Sequence, residues 1–225
     1  MYDIIFISNN EPNSDEHWRI LSSRFVLAKR INDVKGIHNA HIAAAKSSFT
    51  KMFWVVDGDA QVLEEFKFDY VVPEYDLDCV HIFHSRNPIN DLVYGYGAIK
   101  LLPRRLTLAV DTTSLDMTLS INNKIKVIEQ VSNITNFNVD KFSTWRSAFR
   151  EAVKLTINVV NKKDNDESLK RLSTWCTMGD DRPYGSYAIK GALAGKAYAL
   201  VNFENVDKLK LINDFEWLKQ RFNND

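Results

Sequence analysis

Residues 53–62 read FWVVDGDAQV, a run of large apolar side chains that ends in two carboxylates one residue apart. Such a run predicts a buried strand, with Asp57 and Asp59 standing where the strand ends. Two like charges this close require either a counter-ion or a chemical role. Carboxylate oxygens at a strand end suit Mg²⁺ or Mn²⁺ carrying a diphosphate, and Gly58 would let the backbone turn so that both side chains aim at one point. A solvated turn is the alternative.

Upstream of this stretch, strand and helix patterns alternate. We predict strands at 2–8 and 26–31, a helix capped by Ser14 or Asp15 that ends near Arg24, and a small-residue helix at 36–48. With the strand before Asp57, this order predicts an α/β fold with an N-terminal parallel, Rossmann-like βαβαβ half. Ligands bind such sheets beyond the carboxyl ends of the strands. Residues 9–13 and 57–59 should therefore face each other there.

The remainder of the chain predicts a mixed central sheet followed by C-terminal helices. The predicted strands are 69–75, 79–87, 97–103, 115–121 and 124–135. The predicted helices are one of about twenty residues from 139–140, one at 169–178 after a solvated loop at 161–168, a small-residue helix at 185–200 and a single amphipathic helix at 206–222. Because no repeat or low-complexity linker interrupts the pattern, we expect one domain over 1–225, with halves at 1–60 and 61–225.

Composition limits the classes of function. The 225 residues include 29 basic and 29 acidic side chains, so we do not expect a wholesale nucleic-acid coat, and a local basic patch remains open. Acidic residues concentrate in 57–78 and basic residues in 141–163. No stretch reaches the length of a membrane span, the opening MYDIIFISNN lacks the features of a signal peptide, and two cysteines without paired spacing suit a reducing compartment. We therefore expect a soluble intracellular protein.

Six motifs occur in an order that carries a family resemblance. They are SNNEPNSDEHW, KGIHNAHIAAA, VVDGD, SRNPINDLVYGYGAIKLLPR, FREAVK and LSTWCTMGDD. Over residues 3 to 195 the chain resembles the bacteriophage GT-A-type DNA glycosyltransferases related to base J glucosyltransferase, which glycosylate hydroxymethylated pyrimidines in DNA. The small-residue helix before the Asp57 strand is likewise similar to the nucleotide-sugar-binding half of GT-A enzymes, so the resemblance implies a GT-A-like domain with 1–60 as the donor half and 61–225 as the acceptor half.

The resemblance implies roles for residues on the donor side. Asp57 and Asp59 would hold Mn²⁺ or Mg²⁺ under the donor diphosphate, with Asp59 as the direct ligand. The other donor-binding residues would be Ser8, Asn10, Glu11, Lys35, His38, His41 and Gly58. Many enzymes of this fold use a late histidine as a third metal ligand, but no histidine follows His84 here, so Asp180 or Asp181 would take that place. For each histidine, a buried structural role is the alternative.

Candidate residues for the acceptor and the proton transfer lie further along the chain. Arg86, Asn87 and Asn90 would grip the sugar or the acceptor, and Tyr94 with its neighbouring glycines would form a mobile loop. An inverting transfer needs a carboxylate to remove the acceptor proton. The two candidates are Glu151 and Asp116, which we favour because it begins a predicted strand after the acceptor-side loop. Arg146, Arg150 and Lys154 recur at helical spacing and form one ridge, either a phosphate contact or a solvated face.

Together these features predict a metal-dependent glycosyltransferase that moves a sugar from a uridine diphosphate donor to hydroxymethylated pyrimidine in phage DNA, in the cytoplasm of the infected bacterial host. Two alternatives stay open. One is a glycosyltransferase that acts on a protein or a small molecule, and the other is an inactive relative that binds nucleotide or DNA. The sequence indicates neither the sugar, nor the anomeric outcome, nor the acceptor base.

Overall fold

The computed structural model describes residues 1–112, 116–161 and 165–225. The chain forms two compact units. The first contains Met1–Arg86 and Val93–Asn136, and the second contains Asn87–Leu92 and Phe137–Asp225. The expectation of one domain over residues 1–225 stays a prediction.

The first unit is an α/β structure around one mixed sheet. Its strands are β1 (Asp3–Ser8), β2 (Lys29–Asn32), β3 (Met52–Asp57), β4 (Ala60–Val62), β5 (Val80–Arg86), β6 (Val93–Tyr94), β7 (Ile99–Pro103) and β8 (Ile125–Thr135). Its helices are α1 (Ser14–Arg24), α2 (Ile37–Ser47), α3 (Arg104–Leu108) and α4 (Met117–Ile121), with a 3₁₀ turn at Glu74–Asp76. The strand order is β2-β1-β3-β7-β5-β8-β4, and β6 pairs with β5.

The predicted N-terminal alternation of strands and helices is confirmed. Strand β1 pairs in parallel with both β2 and β3, whereas β7 runs antiparallel to β3. The core residues of β3, from Met52 to Val56, are completely buried because the strand is central and covered on both faces. Trp54 packs with Phe6 in one apolar cluster, while Phe53 packs with Ile5 in another, as the alternation of side chains along a strand requires.

Several local predictions in the first unit are wrong. Residues 69–75 form no strand, since Pro73 has no N–H to donate and the Val72 N–H donates to the Tyr2 hydroxyl at 3.3 Å. The predicted strand at 115–121 is helix α4, which Asp116 caps by accepting the Leu119 N–H at 3.0 Å; Leu115 lies outside the described residues. Strand β2 begins only at Lys29, and the residue that precedes α1 is Asn13 rather than Ser14 or Asp15.

The second unit is helical. Its helices are α5 (Lys141–Val160), α6 (Asn165–Thr177), α7 (Gly185–Asn202), α8 (Val206–Lys210) and α9 (Phe215–Asn224), with a 3₁₀ turn at Leu211–Asn213. The predicted twenty-residue helix is confirmed as α5, which starts where Asp140 accepts the Ser143 N–H at 2.7 Å. The predicted close packing of the small-residue helix is confirmed too, because a Cβ on Gly195 would lie 2.3 Å from the Phe149 carbonyl oxygen.

Two predictions in this unit are wrong. The amphipathic segment 206–222 is interrupted, because Asp214 caps α9 by accepting the N–H groups of Glu216 and Trp217. Helix α6 begins at Asn165, inside the loop expected at 161–168, of which residues 162–164 lie outside the described part of the chain. No helix among the described residues has the length and apolar character needed to cross a membrane.

Candidate functional site

The candidate site lies at the carboxyl ends of β1 and β3 in the first unit. Asp57 is the last residue of β3, and Glu11 follows the end of β1. A Cβ added to Gly58 would lie 2.6 Å from the Glu11 Oε2 atom, so Glu11 packs directly against this turn. The expected proximity of the two strand ends is therefore present. Gly58 does not have a left-handed φ, so the expected need for its conformational freedom is not seen; a side chain at this position would instead crowd the carboxyl end of Glu11.

Asp57 has a counter-ion that the motif did not indicate. The Lys100 Nζ lies 3.0 Å from both carboxylate oxygens of Asp57 and also donates to the Gly97 carbonyl. Lys100 is 3% exposed, whereas 32% of the Asp57 side chain stays accessible. Burial raises the pKa of Asp57 above its ordinary value, and the Lys100 charge opposes that change. A single lysine inside the apolar strand β7 was the signal that a buried partner exists.

Asp59 is the electrostatically strained member of the turn. Burial, together with the charges of Asp57 and Glu11, raises the pKa of its carboxyl group to about 7. Among the described residues, no side chain is hydrogen bonded to the Asp59 carboxylate. An added cation at this position would remove the repulsion among the three acids.

The polar residues at the end of β1 form a network. The buried Ser8 hydroxyl donates to the Asn32 Oδ1 at 2.6 Å and accepts from the Arg30 Nε at 2.9 Å. Asn10 has a φ of 62°, in the left-handed region that asparagine tolerates better than most residues. Its position between Ser8 and Glu11 keeps the three predicted nucleoside contacts on one short segment. Arg30 and Asn32 were not predicted.

The three predicted donor-side residues near α2 differ in exposure. Lys35 is exposed, His38 is partly buried, and His41 is buried. The His41 Nδ1 lies 2.8 Å from the Ile37 carbonyl oxygen, so this nitrogen carries the proton and donates. Burial lowers the pKa of His41 to about 3, with a contribution from the charge of Lys100. His41 is therefore a neutral ring, and the donor roles of all three residues stay predictions.

The predicted acceptor residues around β5 are divided between the units. In the first unit Arg86 is exposed, and the buried Tyr94 stacks on Tyr96 with ring centroids 4.1 Å apart. In the second unit Asn87 Oδ1 accepts the Ile89 N–H at 2.9 Å, and Asn90 Oδ1 accepts the Leu92 N–H at 3.3 Å. Both amides therefore stabilise their own turn, and their binding roles stay predictions.

The remaining predicted carboxylates already have structural partners or lie elsewhere. Asp116 caps α4, as described above. Glu151 accepts a hydrogen bond of 2.6 Å from Arg171, and both side chains are largely buried in the second unit. Asp180 is exposed in the segment before α7 of that unit. The structure does not test the catalytic roles of Asp116 and Glu151 or the metal role of Asp180.

The predicted basic ridge is not a uniformly exposed row. Arg146 lies over the Phe215 ring at 4.2 Å from its centroid, and the Arg150 Nη2 donates to Asn213 at 2.9 Å. Burial lowers the pKa of Arg150. Lys154 is exposed, while Lys162 and Lys163 lie outside the described residues. The phosphate-binding role of Arg146 and Arg150 stays a prediction.

The donor set at the turn fits a hard divalent cation with few protein ligands. Within the described residues, no three His, Cys, Asp or Glu side chains form a metal-binding group. Mg²⁺ is commonly held by one or two carboxylates together with water and substrate phosphates, rather than by a protein cage. Asp59 can supply such a carboxylate, whereas both oxygens of Asp57 are engaged by Lys100.

Comparisons with known proteins add little. The sequence matches no protein-family model and no curated protein. Among solved structures, the chain is similar to HddC from Yersinia pseudotuberculosis at 13% sequence identity and a TM-score of 0.38, over 59% of this chain and 92% of that chain. A similarity this low says nothing about activity.

Proposed function

We propose that the protein is a metal-dependent glycosyltransferase of GT-A-like fold that transfers a sugar from a uridine diphosphate donor to the hydroxymethyl group of a modified pyrimidine in phage DNA. The observation that carries the proposal is the meeting of Glu11 with the Asp57–Asp59 turn, where the pKa of Asp59 is raised to about 7. Strand ends of parallel sheets are where nucleotides bind in open α/β folds, which supports a donor site here.

The side chains at the turn would divide the work of donor binding. Asp59 would contribute the direct carboxylate ligand to Mn²⁺ or Mg²⁺, which supplies positive charge for the diphosphate leaving group. Lys100 would keep Asp57 ionised and fixed, because its ammonium group is buried and bonded to both carboxylate oxygens. Ser8, Asn10 and Glu11 would contact the nucleoside from the end of β1.

The acceptor half of the proposal rests on the resemblance and on the basic side chains of α5. An inverting transfer would need Asp116 or Glu151 as the base, and each would first have to exchange its present partner. A base inside a duplex must be flipped or approached from the major groove, where its hydroxymethyl group projects. Phosphate contacts from Arg146 and its neighbours would hold the DNA during either event.

The test is mass spectrometry of nucleosides from hydroxymethylated and unmodified DNA, incubated with Mn²⁺ and a panel of uridine diphosphate sugars. We expect a glycosylated nucleoside only from hydroxymethylated DNA, and a loss of about 1000-fold or more for Asp59→Asn, since metal stabilisation of charge contributes several kcal/mol. The exposed acid Glu65 provides the matched control Glu65→Gln, which should be as active as the native protein.

Each part of the proposal can fail separately. Full activity of the native protein in chelator would show that the metal role is wrong. If no hydroxymethylated DNA accepts sugar from any donor, the acceptor is wrong, and a protein or small-molecule acceptor takes its place.

A further inference from the structure

Each residue of the Asp57–Asp59 turn is held by a different element of the first unit. Lys100 on β7 binds the Asp57 carboxylate. His17 on α1 lies with its Nδ1 atom 2.9 Å from the Gly58 carbonyl oxygen. The backbone N–H of Asn136, directly after β8, donates to the Asp59 carbonyl at 2.7 Å. The turn is therefore fixed at three successive residues.

The contacts of His17 indicate which ring nitrogen carries a proton. A carbonyl oxygen only accepts hydrogen bonds, so the Nδ1 atom must carry a proton. In the neutral ring the Nε2 atom is then an acceptor, and it lies 3.3 Å from the Asn136 Nδ2 atom, which donates. His17 is 8% exposed, so this arrangement is largely shielded from water. Asn136 thus holds both the ring of His17 and the backbone of Asp59.

We infer that His17 is a positioning residue that aims the Asp59 carboxylate by fixing the Gly58 peptide group, with Asn136 holding its ring in the required tautomer. Gly58 has no side chain and the widest conformational freedom of any residue, so its backbone is the only part that can be held. The peptide plane after Gly58 sets the direction of the Asp59 side chain. Functional carboxylates need such supporting contacts to keep their geometry. The link to donor binding rests on the proposed function.

The chain offers substitutions that separate a positioning role from a structural one. His17→Asn places an amide donor near the position of the ring Nδ1 atom, so it should restore the bond to Gly58. His17→Leu has nearly the same size as that variant but no donor. Asn136→Leu removes the donor to the ring and leaves the backbone bond to Asp59. His81, a buried histidine on β5, provides the control His81→Leu.

The first readout needs no ligand. Amide hydrogen exchange of residues 57–60 should be about tenfold faster in His17→Leu than in the native protein, within about threefold of native in His17→Asn, and intermediate in Asn136→Leu. His81→Leu should leave these amides unchanged even if it lowers the melting temperature. Equal exchange of the turn in His17→Leu and native protein would overturn the inference.

The second readout is calorimetric titration with uridine diphosphate and Mn²⁺. The Kd should rise about tenfold in His17→Leu and by a smaller factor in Asn136→Leu. In His17→Asn and His81→Leu, the Kd should stay within about threefold of the native value. Native affinity in His17→Leu would overturn the positioning role while leaving the proposed function intact. If native protein fails to bind and the exchange results hold, the proposed function fails and the role of His17 in the turn stands.

Discussion

The Asp57–Asp59 turn of the first unit and the arginine-bearing face of α5 in the second unit differ in the partners that their charged side chains have. At the turn, Asp57 and Glu11 raise the pKa of Asp59 beyond the effect of burial. On α5, Arg146 lies over aromatic rings and Arg150 is bonded to Asn213. The first arrangement opposes folding, whereas the second covers apolar surface with long side chains.

This difference bears on where a ligand is expected. A bound cation would relieve the repulsion that the fold leaves uncompensated at Asp59, so a ligand that brings one would stabilise the turn. The arginines of α5 already have partners, and of the three predicted ridge residues only Lys154 is exposed. The positions of charged residues in the sequence do not distinguish these two situations, because they indicate neither how buried a side chain is nor which residues it contacts in the fold.

The largest stability effect should come from removing the buried cation at the turn. Lys100→Met leaves Asp57 without its partner, and we expect the free energy of unfolding to fall by about 3 kcal/mol, since breaking a buried ion pair leaves an uncompensated charge. Asp57→Asn in the same chain should restore at least half of that loss. Urea unfolding of the native protein, of Lys100→Met and of the double variant measures this. Equal stability of Lys100→Met and native protein would contradict the ion-pair account.

The stability conferred by Asp59 should depend on pH. Its folded pKa of about 7 exceeds the ordinary value of 3.8, so the folded state binds a proton that the unfolded state has lost. Below pH 4 the Asp59 carboxyl group is protonated in both states, so it does not lower the free energy of unfolding. As the pH rises from 4 through 7, the unfolded state loses the proton first and the free energy of unfolding falls. In chelator at pH 8, the free energy of unfolding of Asp59→Asn should therefore exceed that of the native protein by about 2 kcal/mol. This figure is reduced from the full pKa difference because solvent screens the charges at the turn.

Unfolding of both proteins at pH 4 and pH 8 tests this second prediction. The advantage of Asp59→Asn should disappear at pH 4. An advantage that is constant with pH would show that the carboxylate is not strained.

The corresponding change on α5 should have a smaller effect. Arg150→Met keeps an unbranched apolar stem and removes the guanidinium group with its bond to Asn213, and the Arg150 Nε is buried without a hydrogen-bond partner among the described residues. We expect a loss of about 1 kcal/mol or less, because replacing a poorly satisfied buried charge by an apolar chain is often neutral. The two variants should be measured together. If Arg150→Met lost as much as 3 kcal/mol, the two regions would not differ in this respect.

The smallest effect should appear in DNA binding. Reversing Arg146 and Lys154 to glutamate should reduce the slope of log K against log salt by about two, one for each DNA phosphate that the protein no longer neutralises. Affinity for uridine diphosphate should not change. The exposed Lys170 on α6 provides the control Lys170→Glu, which should keep the native slope. An unchanged slope in the double variant would mean that this part of α5 is a solvated face.

Much of the secondary structure could be predicted from the sequence, because one hydrophobic pattern is clear in each of several strands and helices. The alternation before Asp57 and the stripe of Trp145, Phe149 and Val153 predict β3 and α5 nearly to the residue. The pattern at 115–121 predicts a strand that begins near Asp116, but Asp116 caps a helix there. Capping depends on one backbone conformation that hydrophobic periodicity does not encode.

The candidate site was only partly predictable for a similar reason. The Asp57–Asp59 motif is local, and Glu11 follows from the topology of parallel strands. His17 and Asn136 lie far apart in the chain and meet the turn only through the fold, so no local pattern indicates them. A buried partner for Lys100 could have been predicted, because a single lysine in an apolar strand needs one.

The most direct test of the account is the electron paramagnetic resonance of Mn²⁺ titrated with the protein and uridine diphosphate. With native protein, the signal of free Mn²⁺ should diminish in the presence of the nucleotide, and Asp59→Asn should leave it at the level set by nucleotide alone. If Asp59→Asn binds the Mn²⁺–nucleotide complex as tightly as the native protein does, the turn is not the metal–diphosphate site.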